Sequence, residues 1–170
     1  MKLLTNIMWV ASVGVASLAF PAALHDERCV FDTAKNGGMV KFRGEAVSTD
    51  HDVIVRPNGC PNDRVILVYG DDPTFGKARL EVKRDEALNQ FEKYLREEKP
   101  PKANEICKLC PRYRVHADFE GRLDVAPSAG LKKDPKTGKV VGIEGFGHPL
   151  PFTRYRLVIT GVSNVEASEK

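Results

Sequence analysis

Between Arg112 and Val125 apolar and polar side chains alternate without a miss. Tyr113, Val115, Ala117, Phe119, Gly121, Leu123 and Val125 take one side, and Arg112, Arg114, His116, Asp118, Glu120, Arg122 and Asp124 take the other. Strict period two over this length predicts a long strand with one buried face. Met39 to Ser48 repeats the pattern, with Val40, Phe42, Gly44 and Ala46 opposite Lys41, Arg43 and Glu45. Gly44 and Gly121, each inside its strand, read as bends or bulges that let a sheet curl. A turn at Ser48-Thr49-Asp50 leads into a returning strand, Asp52 to Arg56, and Pro57-Asn58-Gly59 breaks the chain before Cys60. Arg64 to Tyr69 is nearly all apolar, which predicts a strand buried on both sides. Arg154 to Thr160 supplies the fifth strand, with Val162 to Val165 as its continuation.

The period changes once. Leu88, Phe91 and Leu95 are spaced for one helical face, flanked by Ala87 and Tyr94, while Glu86, Gln90, Lys93 and Glu97 make the other face polar. Asp85 stands where an N-cap belongs, and Pro100-Pro101 stops the helix. The chain therefore reads as mainly β with one helix, in the order β-β-β-α-β-β. That is the order of the five-stranded OB-like Greek-key barrel.

The start of the chain is different in kind. Lys2 precedes an uncharged run from Leu3 to Phe20, followed by small residues at Ala19, Ala22 and Ala23. This is the pattern of an export signal cleaved after Ala19 or Ala23. The competing reading is a retained anchor, but the run is short for a bilayer span and carries Thr5, Asn6, Ser12 and Ser17. Residues 1–23 are thus read as a signal peptide and 24–170 as one barrel domain, secreted or periplasmic, with no membrane span once the signal is removed. Cys29 follows His-Asp-Glu-Arg rather than a small-residue lipobox, which argues against lipid anchoring.

The net charge of +3 becomes +2 when Lys2 leaves with the signal. A mixed-sign surface of this kind does not point to nucleic acid or to an anionic membrane. Arginines and lysines at 41, 43, 112, 114, 154 and 156 would form a stripe on neighbouring strands, interrupted by Glu45, Asp118 and Glu120. Single-stranded nucleic acid also needs ring platforms, and the second and third strands offer only Tyr69.

Four cysteines, Cys29, Cys60, Cys107 and Cys110, remain after export, and three pairings are open. In an oxidising compartment structural disulfides are the preferred reading. The lead-in and the turn after the second strand would meet at one barrel end, which favours Cys29 with Cys60 and leaves Cys107 with Cys110. The Cys107-x-x-Cys110 spacing also admits a redox pair or half of a zinc site. However, it follows a helix and precedes Pro111, whereas a redox pair opens a helix after a strand. A four-cysteine zinc site usually carries two such pairs, and Cys29 and Cys60 are isolated.

No His-Glu-x-x-His motif or nucleophile elbow occurs. We assign no catalytic residue, no metal and no cofactor from the sequence. His51 and His116 read as solvated groups on a turn and an outer strand face. Gly142 to His148, with glycines at 142, 145 and 147, reads first as a bulge and turn between long strands. As a ligand-contacting loop it would present Glu144, Phe146 and His148, with Lys136 and Lys139 on the turn-forming tip Asp134 to Lys139. These five residues are the candidate ligand-binding set.

The run Met39 to Glu45, His51, Cys60-Pro61, Cys29 upstream and Gly145-Phe-Gly-His148 before Arg-Leu-Val-Ile together resemble an uncharacterised group of small secreted bacterial proteins. Cys107-x-x-Cys110 and Pro149-Leu-Pro151 depart from the simplest form of that pattern. The resemblance implies an OB-like barrel and export, and no activity. The resulting expectation is a non-enzymatic binding or interaction module for an envelope or extracellular ligand. A metal-dependent or redox enzyme using Cys107 and Cys110, and an oligonucleotide-binding barrel, are the alternatives.

Overall fold

A computed structural model describes residues 29–49, 51–98, 111–148 and 152–169. The signal-peptide reading of 1–23 and the cysteines Cys107 and Cys110 lie outside the described residues. After a 3₁₀ turn at Val30–Asp32, the chain forms β1 (Gly38–Ser48), β2 (Val53–Pro57) and β3 (Val65–Tyr69). A second 3₁₀ segment (Pro73–Ala78) precedes the helix α1 (Glu86–Arg96). β4 (Tyr113–Val125), β5 (Gly130–Lys133), β6 (Val140–Glu144) and β7 (Tyr155–Glu169) complete the chain.

Five strands pair in the order β1-β2-β3-β7-β4, and β4 pairs back onto β1, so the sheet closes as a barrel. All pairs are antiparallel except β3 with β7. The alternation read from the sequence sets which face is inside. Val115, Ala117, Phe119 and Leu123 of β4 are fully buried, as are Ala46 of β1 and Val55 of β2. α1 starts where Asp85 accepts a hydrogen bond from the Leu88 N–H at 3.1 Å, and it buries Leu88, Phe91 and Leu95. Phe91 meets Phe119 edge-on with ring centroids 5.5 Å apart, so the helix plugs the core.

Cys29 and Cys60 form a disulfide, tying the lead-in to the turn after β2. Phe31 then stacks on Tyr155 at 4.0 Å and meets Phe42 edge-on at 6.3 Å, seating the lead-in on the core.

Three expectations change. Gly44 lies away from any register shift, whereas Gly121 stands beside one. A side chain at Gly121 would stand 2.3 Å from the Val158 carbonyl oxygen, and one at Gly44 would stand 2.6 Å from that of Arg56. They are points where two strands cross too closely for a Cβ. The extra residues lie on β7, where the register against β4 slips between His116 and Asp118 and again between Glu120 and Gly121. At the first slip Asn164 adopts φ 50°, a conformation asparagine tolerates better than most residues. Its amide donates to Asp118 at 2.7 Å. Secondly, β7 runs unbroken from Tyr155 to Glu169, past the expected end at Val165 and with both bulges inside it. Thirdly, the connection between β4 and β7 is itself folded, since β5 and β6 form a separate two-stranded sheet.

Candidate functional site

The hairpin of β5 and β6 grows from local turn chemistry. The Asp134 carboxylate accepts the backbone N–H groups of Lys136 at 2.7 Å and Thr137 at 3.0 Å, and Gly138 takes φ 66°. These bonds hold the Asp134 carboxyl below the ordinary carboxylate value, the Thr137 and Lys136 amides being its largest causes. Leu131 pairs directly with Ile143, which puts both on one face, whereas Lys132 opposite Gly142 and Gly130 opposite Glu144 lie on the other. The first face also carries Lys133 opposite Val140, with Val141 left unpaired at the bulge, and its apolar side chains are open to solvent. Leu131, Val140, Val141 and Ile143 are 48%, 54%, 59% and 59% exposed.

The five predicted binding residues separate into two groups. Lys136 and Lys139 project from the exposed tip. Glu144, Phe146 and His148 serve largely to hold the hairpin in place. Glu144 accepts from Lys132 Nζ at 2.7 Å and from the Ser128 hydroxyl. The hydrogen bond to Lys132, then that to Ser128, depresses the Glu144 carboxyl below its usual range. The Phe146 ring lies 4.6 Å from the Arg156 guanidinium, and Phe75 flanks the same guanidinium at 5.3 Å. Phe146 also exchanges backbone hydrogen bonds with Thr153, and its carbonyl accepts the Phe152 N–H. The backbone N–H of His148 donates to the Asp52 carboxylate at 2.8 Å.

Gly145 and Gly147 make this root possible, with φ 96° and 117°. A side chain at Gly145 would stand 2.7 Å from the Thr153 carbonyl oxygen, and one at Gly147 would meet the Phe152 ring at 2.4 Å. The same turn carries His148 to the β1–β2 connection, where its ring lies 4.6 Å from that of His51. Nothing in the sequence spacing marks this pair. His51 and His148 are far apart in the chain, and only barrel closure brings them together.

Most arginines of the barrel wall are paired, whereas three of the hairpin's four lysines have no ion pair among the described residues. On the wall Arg43 pairs with Asp118 at 3.2 Å and Glu166 at 2.9 Å, and Arg112 pairs with Glu169 at 3.0 Å. Arg114 reaches Glu45 at 3.5 Å. Asp124 accepts from both Arg122 at 2.9 Å and Arg156 at 2.7 Å. Burial alone would push the Asp124 carboxyl up, but the two guanidinium partners together outweigh it and hold it below 3.8. Tyr69 likewise belongs to the fold. Its burial, then the Glu92 carboxylate, pushes the phenol up to about 12. The stripe foreseen from the sequence is therefore largely neutralised by neighbours, apart from Lys41 and Arg154, which have no ion pair among the described residues.

Two open grooves lie near the hairpin root. One, of about 370 Å³, is lined by residues that include Arg64, Ala129, Phe152 and Arg154. The other, of about 220 Å³, carries Arg56, Arg64 and Arg114 beside Glu45 and Thr49. Arg64 belongs to both grooves, and its carbonyl oxygen accepts the hydroxyl of the buried Thr153. Among the described residues Cys29, Cys60 and Asp63 are the one cluster with metal-ligand spacing. The two sulfurs there are joined in the disulfide and offer no thiolate.

These features define a mainly β protein in which a closed five-stranded sheet carries a projecting amphipathic hairpin. Comparison with protein-family models, with curated proteins and with solved structures finds no match.

Proposed function

We propose that the chain is an exported, non-enzymatic binding module that presents the β5–β6 hairpin and the adjoining grooves to an envelope or extracellular ligand. The observation that carries this reading is the hairpin's row of exposed Leu131, Val140, Val141 and Ile143. Exposed apolar side chains gathered on one element mark interaction surfaces, because leaving them in water is costly unless something covers them. The OB-like Greek-key assignment is supported by the strand order, by the parallel β3–β7 pair and by the helix between β3 and β4. In that architecture the connection before the last strand commonly borders the ligand.

Export is supported by the charge-free run after Lys2 and by the Cys29–Cys60 disulfide. Among the described residues no helix is long and apolar enough to cross a membrane. An intact mass of the purified protein tests removal of residues 1–23 and the number of disulfides together. Free thiols or bound zinc at Cys107 and Cys110 would favour the enzymatic alternative.

A photo-crosslinker at position 143 tests the binding reading in cell-envelope preparations. A discrete adduct is expected there and none from exposed Glu120 on the barrel wall. Equal labelling from both positions overturns it. One observation favours a second reading, oligonucleotide binding: the groove holding Arg56, Arg64 and Arg114. That reading requires steeply salt-dependent affinity for single strands.

A further inference from the structure

We infer that the β5–β6 hairpin docks on an anionic lipid surface, with its apolar face entering the interface and its lysines meeting headgroups. This rests on the binding reading above and names the partner's chemistry. Three observations converge. The apolar side chains share a hairpin that extends beyond the core, so they form a protrusion rather than a pocket. A bilayer interface accepts a convex apolar element without a shaped complement, whereas a protein partner must supply one. Charge is the second observation. Lys133, Lys136 and Lys139 make no ion pair among the described residues, while the acidic groups of the same hairpin are engaged: Glu144 with Lys132, and Asp134 with the turn amides.

The third observation is the hairpin root, where Arg64 and Arg154 are likewise without ion pairs among the described residues, with Asp63 their acidic neighbour in the larger groove. Cations without ion pairs among the described residues also occur elsewhere, at Lys41 on β1 and Lys93 on α1, but those of the hairpin share one element with its exposed apolar side chains. A second copy of the chain is a poorer occupant. Packing two apolar hairpin faces together would bring two sets of unpaired lysines into one interface. Strand addition at an edge of β5 or β6 would leave the side-chain face uncovered.

The test uses the chain without residues 1–23, which retains every described element. It is floated with vesicles of phosphatidylcholine alone and with one-third phosphatidylglycerol, at low and high salt. Binding is expected only to the anionic vesicles and should weaken with salt. Lys133→Gln, Lys136→Gln and Lys139→Gln together should weaken it about 100-fold, each lysine being worth about a factor of five near such a surface. Val141→Ser with Ile143→Ser should cost about 10-fold or more. Unchanged unfolding midpoints would show that both variants fold.

Equal binding to neutral vesicles, insensitivity to the lysine changes, or no vesicle binding overturns the inference. So does a concentration-dependent dimer abolished by Ile143→Ser, which makes a second copy the occupant. A protein adduct from position 143 without vesicle binding defeats the lipid partner and leaves the binding module standing. Absence of both defeats the module itself.

Discussion

The barrel wall and the β5–β6 hairpin each carry apolar and charged side chains and treat them in opposite ways. In β4 the apolar side of the alternation disappears into the core, and most of its charged side is matched, Asp118 by Arg43 of β1 and Asp124 by Arg156 of β7 and by Arg122 of β4 itself. In the hairpin the apolar side remains in water, and three of its four lysines have no carboxylate partner among the described residues. A strand with two neighbours can satisfy side chains on both faces. A two-stranded ribbon touching the rest only at its root can satisfy one. An isolated ribbon of this size is marginal in water, and here Asp134, Glu144 and the Phe146–Arg156 contact hold it together. The difference separates residues that carry stability from residues free to carry recognition.

The sharpest way to break this division is in the core. Phe119→Ala removes the ring between Phe42 and Phe91 and should lower unfolding free energy by about 3–5 kcal/mol in urea melts. Replacing Cys29 and Cys60 with serine opens a loop spanning 31 residues of separation and should cost about 3–4 kcal/mol. Gly121→Ala forces a methyl against the Val158 backbone and should cost about 1–3 kcal/mol, measurable by the same melts.

Asp124→Asn probes the ion network, with a smaller loss of about 1 kcal/mol at neutral pH. Its sign with pH is fixed by the depressed carboxyl of the folded state. The stabilisation is present above the ordinary value of 3.8 and is lost as pH falls through the lower folded value. The stability gap between wild type and variant should therefore close on acidification; a constant gap would show that the pairing contributes nothing. The smallest effect is expected on the hairpin, where Val141→Ser should change stability by less than about 0.5 kcal/mol. Hydrogen exchange should find the hairpin amides opening far more readily than those of β4. Equal protection would merge the two regions into one cooperative unit.

Much of the fold was legible because its signals are local. The period of two in β1 and β4 and the helical face Leu88-Phe91-Leu95 each depend on residues close in sequence. The Cys29–Cys60 pairing followed from strand order alone. Gly121 marks one slip of the β4–β7 register, but which strand carries the extra residue is set by the partner strand, and Gly44 reports only a close crossing. Asn164, in a run otherwise suited to a strand, was the available clue. The hairpin tip was recognised, but β5 and β6 were not, because four or five residues broken by Gly142 leave no clean alternation.

The candidate site was legible only as a list. Glu144, Phe146 and His148 stand near one another in the chain, yet their roles depend on Lys132, Arg156 and Asp52. Sequence alone determined which faces are apolar, where the helix starts, and that Lys136 and Lys139 stand on a turn. Tertiary structure decided which charges are neutralised, that His51 meets His148, and that one apolar face stays uncovered. The physical reason is range. Backbone geometry and side-chain period act between neighbours, whereas charge pairing and burial depend on what barrel closure brings within a few ångströms.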